Sequence, residues 1–144
     1  MMLGSLYNTD ILSLAGTLKN ERLAAPHGTA RKVSKLCGSW LEIDVNVEGG
    51  RVTDCALRVQ ACALGQASAA ILKEQIIGAG LPDIEAARGA LRAMLKENGP
   101  APTGRFAKLG LLEGVREYPA RHTSTLLAFD AAVEAAAQAI GASA

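Results

Sequence analysis

A change of hydrophobic period at Cys62 divides this chain into a part that must pair as strands and a part that must pack as helices. Before that point, Leu41, Ile43, Val45 and Val47 alternate with Trp40, Glu42, Asp44 and Asn46. Glu48-Gly49-Gly50-Arg51 supplies a turn, and Thr53, Cys55, Leu57 and Val59 take up a second alternation. Successive strand side chains point to opposite faces, so the pattern predicts an antiparallel hairpin with one buried face. After Cys62, the residues Leu64, Ala67, Ile71, Gln75 and Ile76 recur with helical spacing until Gly78 and Gly80 stop them.

Pro82 or Asp83 opens a further helix that carries Ile84, Ala87, Leu91 and Leu95 to Asn98. The run Asn98-Gly99-Pro100-Ala101-Pro102-Thr103-Gly104 is a loop, and Arg105 to Pro119 reads as a short mixed segment. A long helix then starts at about Thr123 and turns Leu126, Phe129, Val133 and Ala137 inward. Near the other end, Asn8 and Thr9 cap a stripe of Ile11, Leu14, Ala15 and Leu18, which predicts an amphipathic helix docked on the domain. Helix, strands, then only helices is an α+β order: a small antiparallel sheet packed against helices, with a mostly helical second half. No repeat or linker divides it, so residues 1–144 are expected to form a single domain, large enough to bury about two-thirds of its unfolded surface.

Composition narrows the function. Fifteen Lys and Arg against 14 Asp and Glu, with 3% aromatic residues, lack both the basic footprint and the stacking platform of a nucleic-acid binder. Apolar runs such as Ala67 to Leu72 fall far short of the roughly 18 residues a membrane span needs. Met1 to Leu14 holds no basic residue, so no signal peptide is expected, and an odd count of three cysteines points to reduced thiols in the cytoplasm. No Ser-His-Asp set, phosphate loop or paired catalytic carboxylates can be read, and Gly49-Gly50 belongs to the hairpin. The chain is therefore not read as an enzyme.

Thiols are the residues left to carry chemistry. Cys37 stands in Leu36-Cys37-Gly38-Ser39, where glycine lets the backbone bend and leaves a side chain accessible. Cys62 stands where a strand gives way to a helix, and a helix N-terminus stabilises a thiolate. Either one also suits plain packing, Cys37 under a loop and Cys62 in a tight turn. Cys55 is in register with Leu57 and Val59 and is assigned to the core. No Cys-x-x-Cys pair is present, so any metal site must be assembled from distant segments. His122 follows Arg121 at the start of the last helix, Thr123 and Ser124 are by default capping residues, and His27 sits beside Pro26 in a loop.

Three segments, in this order and spacing, carry a resemblance: Leu36-Cys37-Gly38-Ser39, Gln60-Ala61-Cys62-Ala63-Leu64-Gly65-Gln66-Ala67-Ser68, and Val115-Arg116-Glu117-Tyr118-Pro119-Ala120-Arg121-His122-Thr123-Ser124. They resemble the three site motifs of NifU/IscU-type iron-sulfur cluster scaffolds over nearly the whole chain, from Leu6-Tyr7 to Phe129. The stretch with Gly110-Leu111-Leu112-Glu113-Gly114-Val115 is most similar to the SufU-type branch, and the Leu-Pro-Pro-Val-Lys chaperone motif of the IscU branch is missing. Cys37 and Cys62 match two of the family's cysteines; Ser39 stands where aspartate is expected and Ser124 where the third cysteine is expected.

The resemblance implies a scaffold or carrier that holds an iron-sulfur cluster or Zn2+ and works with a cysteine desulfurase and acceptor apo-proteins. It implies ligands Cys37 and Cys62, with His122 supplying a nitrogen and Ser124, Ser39, water or a partner's cysteine in the remaining position. Arg121 matches the family's arginine and would hold the charge of a thiolate or persulfide. Two alternatives stay open. One is a zinc-assisted acceptor of persulfide sulfur on Cys37, an accessory to sulfur transfer. The other is a family member that has lost metal chemistry and acts as a binding module.

Overall fold

The computed structural model describes residues 8–35 and 38–143. Helix α1 (Thr9–Gly16) leads to strands β1 (Gly28–Val33), β2 (Trp40–Glu48) and β3 (Arg51–Gln60), then to helices α2 (Ala63–Gln75), α3 (Leu81–Lys96) and α4 (His122–Ser143). Tight 3-10 turns over Gly104–Glu117 and Pro119–Arg121 join α3 to α4. The sheet is antiparallel throughout, in the order β1-β2-β3. The expected α+β architecture is the one observed, and Asn8 caps α1 as read, its side-chain oxygen accepting from the Ile11 N–H at 3.0 Å.

Helix α4 lies across β1 and β2, with α2 and α3 packed on its flanks and α1 on α2. Beyond Leu126, Leu127 and Phe129, its buried face is made of alanine: Ala128, Ala131, Ala132, Ala135, Ala136 and Ala139 are all sealed from solvent. Ala137, read as inward, points to solvent instead. Small side chains let α4 come so close to the sheet that a Cβ on Gly28 would collide with the Ala135 carbonyl. Gly28 and Ala30 are the inward residues of β1, and between them they carry almost no hydrophobic signal. This is why β1 was not expected. His27, read as a loop residue, starts this pairing: its N–H donates to the Val45 carbonyl at 3.0 Å and its Nδ1 accepts from the Val47 N–H at 3.0 Å.

The hairpin differs from its sequence pattern in two ways. A bulge between Asn46 and Val47 shifts the register, so Val52, paired with Val47, takes the inward place expected of Thr53, which is exposed. The second face of the sheet is also not left to solvent, because residues 17–27 cross it. Glu21 donates its N–H to the Leu57 carbonyl at 2.9 Å, and the Asn20 side chain accepts from the Val59 N–H at 3.0 Å. Beneath this strap Arg58 binds both carboxylate oxygens of Asp44 at 3.0 and 2.8 Å, Glu42 at 3.0 Å and the Glu21 carbonyl at 2.7 Å. Asp44 also accepts from the Leu23 N–H and the Thr29 hydroxyl, each at 3.0 Å.

Burial alone would raise the Asp44 pKa, but the Arg58 hydrogen bonds, joined by Leu23 and Thr29, outweigh it and hold the carboxyl below its ordinary value. A carboxyl depressed in the folded state stabilises above its ordinary range and loses that contribution as pH falls through it. Breaking such a buried pair from one side costs about 3–5 kcal/mol, because an unpaired charge stays behind. Asp44→Ala is expected to lower unfolding free energy in urea by about that amount. Asp44→Asn should flatten the loss of stability that wild type shows between about pH 5 and 2; an unchanged slope would assign that loss to other groups.

Candidate functional site

Strand β3 ends at Gln60 and α2 begins at Ala63, so Ala61 and Cys62 form the corner between them. Cys62 is the N-cap residue, in extended backbone (φ −66°, ψ 169°), and its side chain makes no cap to the helix N–H groups. The thiol is left half-buried at the N-terminus of α2. Gln66, one turn into α2, fixes the corner from inside: its backbone N–H donates to the Cys62 carbonyl at 3.0 Å and its side-chain amide to the Ala61 carbonyl at 2.7 Å.

Ser124, in the first turn of α4, meets Cys62 across this corner, with Oγ 3.7 Å from Sγ. Its hydroxyl donates to the Arg121 carbonyl at 3.1 Å, which also accepts from the Thr125 hydroxyl at 2.8 Å. With that proton engaged, a neutral Cys62 thiol donates to Ser124; with Cys62 ionised, the hydroxyl can turn its proton to the sulfur. The approach depends on Gly65, where a Cβ would lie 2.9 Å from the Ala61 Cβ and 3.0 Å from the Ser124 carbonyl oxygen. Neither Gly65 nor Gln66 stood out in the sequence; the signal available was their spacing of three and four from Cys62, one helical turn on.

Gly38, Ser39, Gln60, Ala61, Cys62 and Arg121 line a cleft of about 210 Å3 at this end of the sheet. Ser34 and Ser39 continue the β1–β2 pairing, Ser34 N–H to Ser39 carbonyl at 2.7 Å, and close a turn in which Gly38 takes the left-handed conformation (φ +73°). Cys37, assigned a ligand role from the sequence, lies outside the described residues. Ser39 is buried, at 6% exposure.

The fold thus brings Cys62, Ser124, Ser39 and Arg121 to one place. His122 is turned elsewhere: it is buried, with Nε2 3.0 Å from the Val115 carbonyl, and does not line the cleft. Cys55 lies in the core, and burial pushes its thiol up to about 12. Among the described residues no group of three or more His, Cys, Asp and Glu side chains is placed to hold a metal ion. A larger cleft, of about 370 Å3, lies between α3 and residues 102–106, but it offers only Asp83 and Arg105 as charged groups and no thiol or imidazole.

The contrast between Cys62 and Cys55 is directly measurable. With iodoacetamide at pH 7.5 to 8, native protein should be alkylated at Cys62 at least about a hundredfold faster than at Cys55, which should react only on unfolding. Equal rates by peptide mass spectrometry would contradict the core placement of Cys55.

Comparisons with known proteins agree with this geometry. The family model described as the NifU-like N terminal domain matches residues 13–125. The iron-sulfur cluster assembly scaffold protein IscU of Thermotoga maritima is 30% identical over 100 residues, covering 69% of this chain and 69% of that protein. The crystal structure of the N-terminal part of a nitrogen-fixing NifU-like protein from Brucella abortus superposes with a TM-score of 0.94 at 46% identity, over 98% of this chain and 99% of that one. A putative scaffold protein for the SUF system from Fervidobacterium islandicum shares the fold, with a TM-score of 0.83 at 20% identity over 92% and 97% of the two chains. The resemblance read from three short segments therefore holds over the whole fold, and this chain belongs to the NifU-like N-terminal domain family.

Proposed function

We propose that this chain is an iron-sulfur cluster assembly scaffold or carrier whose thiolate donors are Cys62 and Cys37. The observation that carries the reading is the Cys62 thiol, half-buried over an accessible cleft at the head of α2, with Arg121 beside it and the Ser124 hydroxyl 3.7 Å away. Soft thiolates suit iron-sulfur clusters, and Arg121 lines the same cleft as Cys62. Membership of the family and the named function of its Thermotoga maritima relative support the same reading.

The donor set is incomplete for a resident metal. A zinc centre of one aspartate and three cysteines does not fit, because the hydroxyls of Ser39 and Ser124 stand where a carboxylate and a thiolate would be needed, and a hydroxyl is neutral near pH 7. His122 we read as an anchor that ties the start of α4 to the Val115 carbonyl, its Nε2 being engaged there. No observation favours the zinc-assisted persulfide acceptor or the binding module over the scaffold. As a scaffold, the chain would take sulfur from a cysteine desulfurase and pass its cargo to acceptor apo-proteins in the cytoplasm, a transfer that weak ligation would ease. Among the described residues, no helix is long and apolar enough to cross a membrane.

Anaerobic reconstitution with iron and sulfide, followed by absorption spectroscopy, tests this reading. Wild type should develop the charge-transfer bands of a cluster, and Cys62→Ser should retain less than about a tenth of them. Equal loading of wild type and Cys62→Ser would remove Cys62 from the site.

A further inference from the structure

We propose that the cleft beside Cys62 holds an anion subsite, in which the Arg121 guanidinium binds the carboxylate of a small thiol and sets its sulfur next to that of Cys62. That the ligand carries a carboxylate follows from the cleft itself; that it carries sulfur rests on the scaffold reading.

Arg121 differs from the other arginines of this chain. Each of them, apart from the exposed Arg92, has a carboxylate or carbonyl acceptor for its side chain. Arg121 is half-buried, and its side chain has no acceptor among the described residues. In other clefts the guanidinium is already engaged: Arg105 donates to the Gln75 and Ile77 carbonyls, each at 3.0 Å, and Arg58 is held by Asp44 and Glu42. The lining of the Cys62 cleft includes Ser39 and Gln60 but no carboxylate to balance the Arg121 charge. A guanidinium partly withdrawn from water gains most from an anion that takes two of its N–H groups at once, and a carboxylate has the matching geometry.

The backbone beneath this group is fixed while its side chain is unengaged. The Arg121 N–H donates to the Tyr118 carbonyl at 2.8 Å, and its own carbonyl accepts from the Ser124 and Thr125 hydroxyls at 3.1 and 2.8 Å. A ligand meets a preset base and has to order one side chain, which limits the entropy lost on binding. The cleft measures about 210 Å3 and a water molecule takes about 30 Å3, so a molecule of amino-acid size can enter. Iron-sulfur clusters are held by thiolates, and Ser39 and Ser124, at 6% and 1% exposure, supply only buried hydroxyls. A thiol anchored on Arg121 brings a further soft donor to the cleft that Cys62 lines.

Two measurements on the full chain test this. Iodoacetate and iodoacetamide alkylate the same thiol and differ in charge, so a change in the exposure of Cys62 moves both rates together and leaves their ratio alone. At low ionic strength the iodoacetate-to-iodoacetamide ratio at Cys62, read by peptide mass spectrometry, should stand about tenfold above that of unfolded protein and fall as salt is added. Arg121→Gln should return it to the unfolded value while the iodoacetamide rate stays within about twofold of wild type. In anaerobic loading with iron and sulfide, 3-mercaptopropionate should give wild type at least about three times the colour that 2-mercaptoethanol gives at the same concentration, and Arg121→Gln should abolish the difference. A native ratio equal to the unfolded one would overturn the inference and leave the scaffold reading standing, as would equal colour with the two thiols. A raised ratio in protein that takes up no iron with either thiol would remove the scaffold reading and the thiol with it, leaving a subsite for a carboxylate alone.

Discussion

The site exists because α4 packs against the sheet and α2 at positions that leave no room for a Cβ. Its buried face is alanine, and glycine meets it twice, at Gly28 in β1 and at Gly65 in α2. Without a Cβ at Gly65, the first turns of α2 and α4 touch, and Ser124 is delivered to Cys62. Alanine contributes little transfer free energy per residue, so this arrangement gives up part of the usual hydrophobic gain for backbone proximity. The larger side chains that complete the core come from elsewhere: Phe129 from α4 itself, edge-on to Phe106 with ring centres 5.5 Å apart, and Leu91, Met94 and Ile71 from its neighbours.

A second constraint acts from the other side of the sheet. The Arg58–Asp44–Glu42 cluster and the strap over it cover the outer face of β2 and β3 up to Trp40. Arg58, on β3, reaches two partners on β2 and one on the strap, which locks their relative register near the cleft. Buried ion pairs of this kind give little net stability over an apolar alternative, but their directional bonds tolerate few other arrangements. The thiol corner is therefore held from beneath by α4 and from above by the strap, while the cleft itself stays accessible.

How much of this could be read from the residues depended on side-chain size and polarity. Helices α1 to α3 and the β2–β3 hairpin were legible because Leu, Ile and Val mark their inward positions, and α4 because Leu126 and Phe129 mark its first turns. β1 was not, since its inward positions are Gly28 and Ala30, small for the sake of α4. The closeness that builds the site thus erased the signal of the strand next to it. Glu42 and Asp44 read as part of a solvent-facing alternation because polarity alone does not reveal a strap arriving from residues 17–27. The bulge at Asn46 and Val47 moved Val52 inward without leaving a mark in the pattern. Cys62 was legible as a helix-cap thiol, and its meeting with Ser124 was legible only through the family motifs. The placement of His122 against Val115 was not, because both a surface cap and a ligand would show the same local sequence.

Together these features describe a rigid frame presenting few, soft donors at one end of a small sheet. Such a frame suits cargo that must arrive and leave, since hydroxyls at two positions of the site cannot hold iron or zinc as thiolates would. The central claim is that the Cys62 sulfur binds iron directly. Iron K-edge X-ray absorption of anaerobically loaded protein measures that most directly: wild type should show iron in an all-sulfur shell, and Cys62→Ser, at whatever loading it keeps, should show oxygen or nitrogen replacing part of it. An identical sulfur shell in the two proteins would contradict the account.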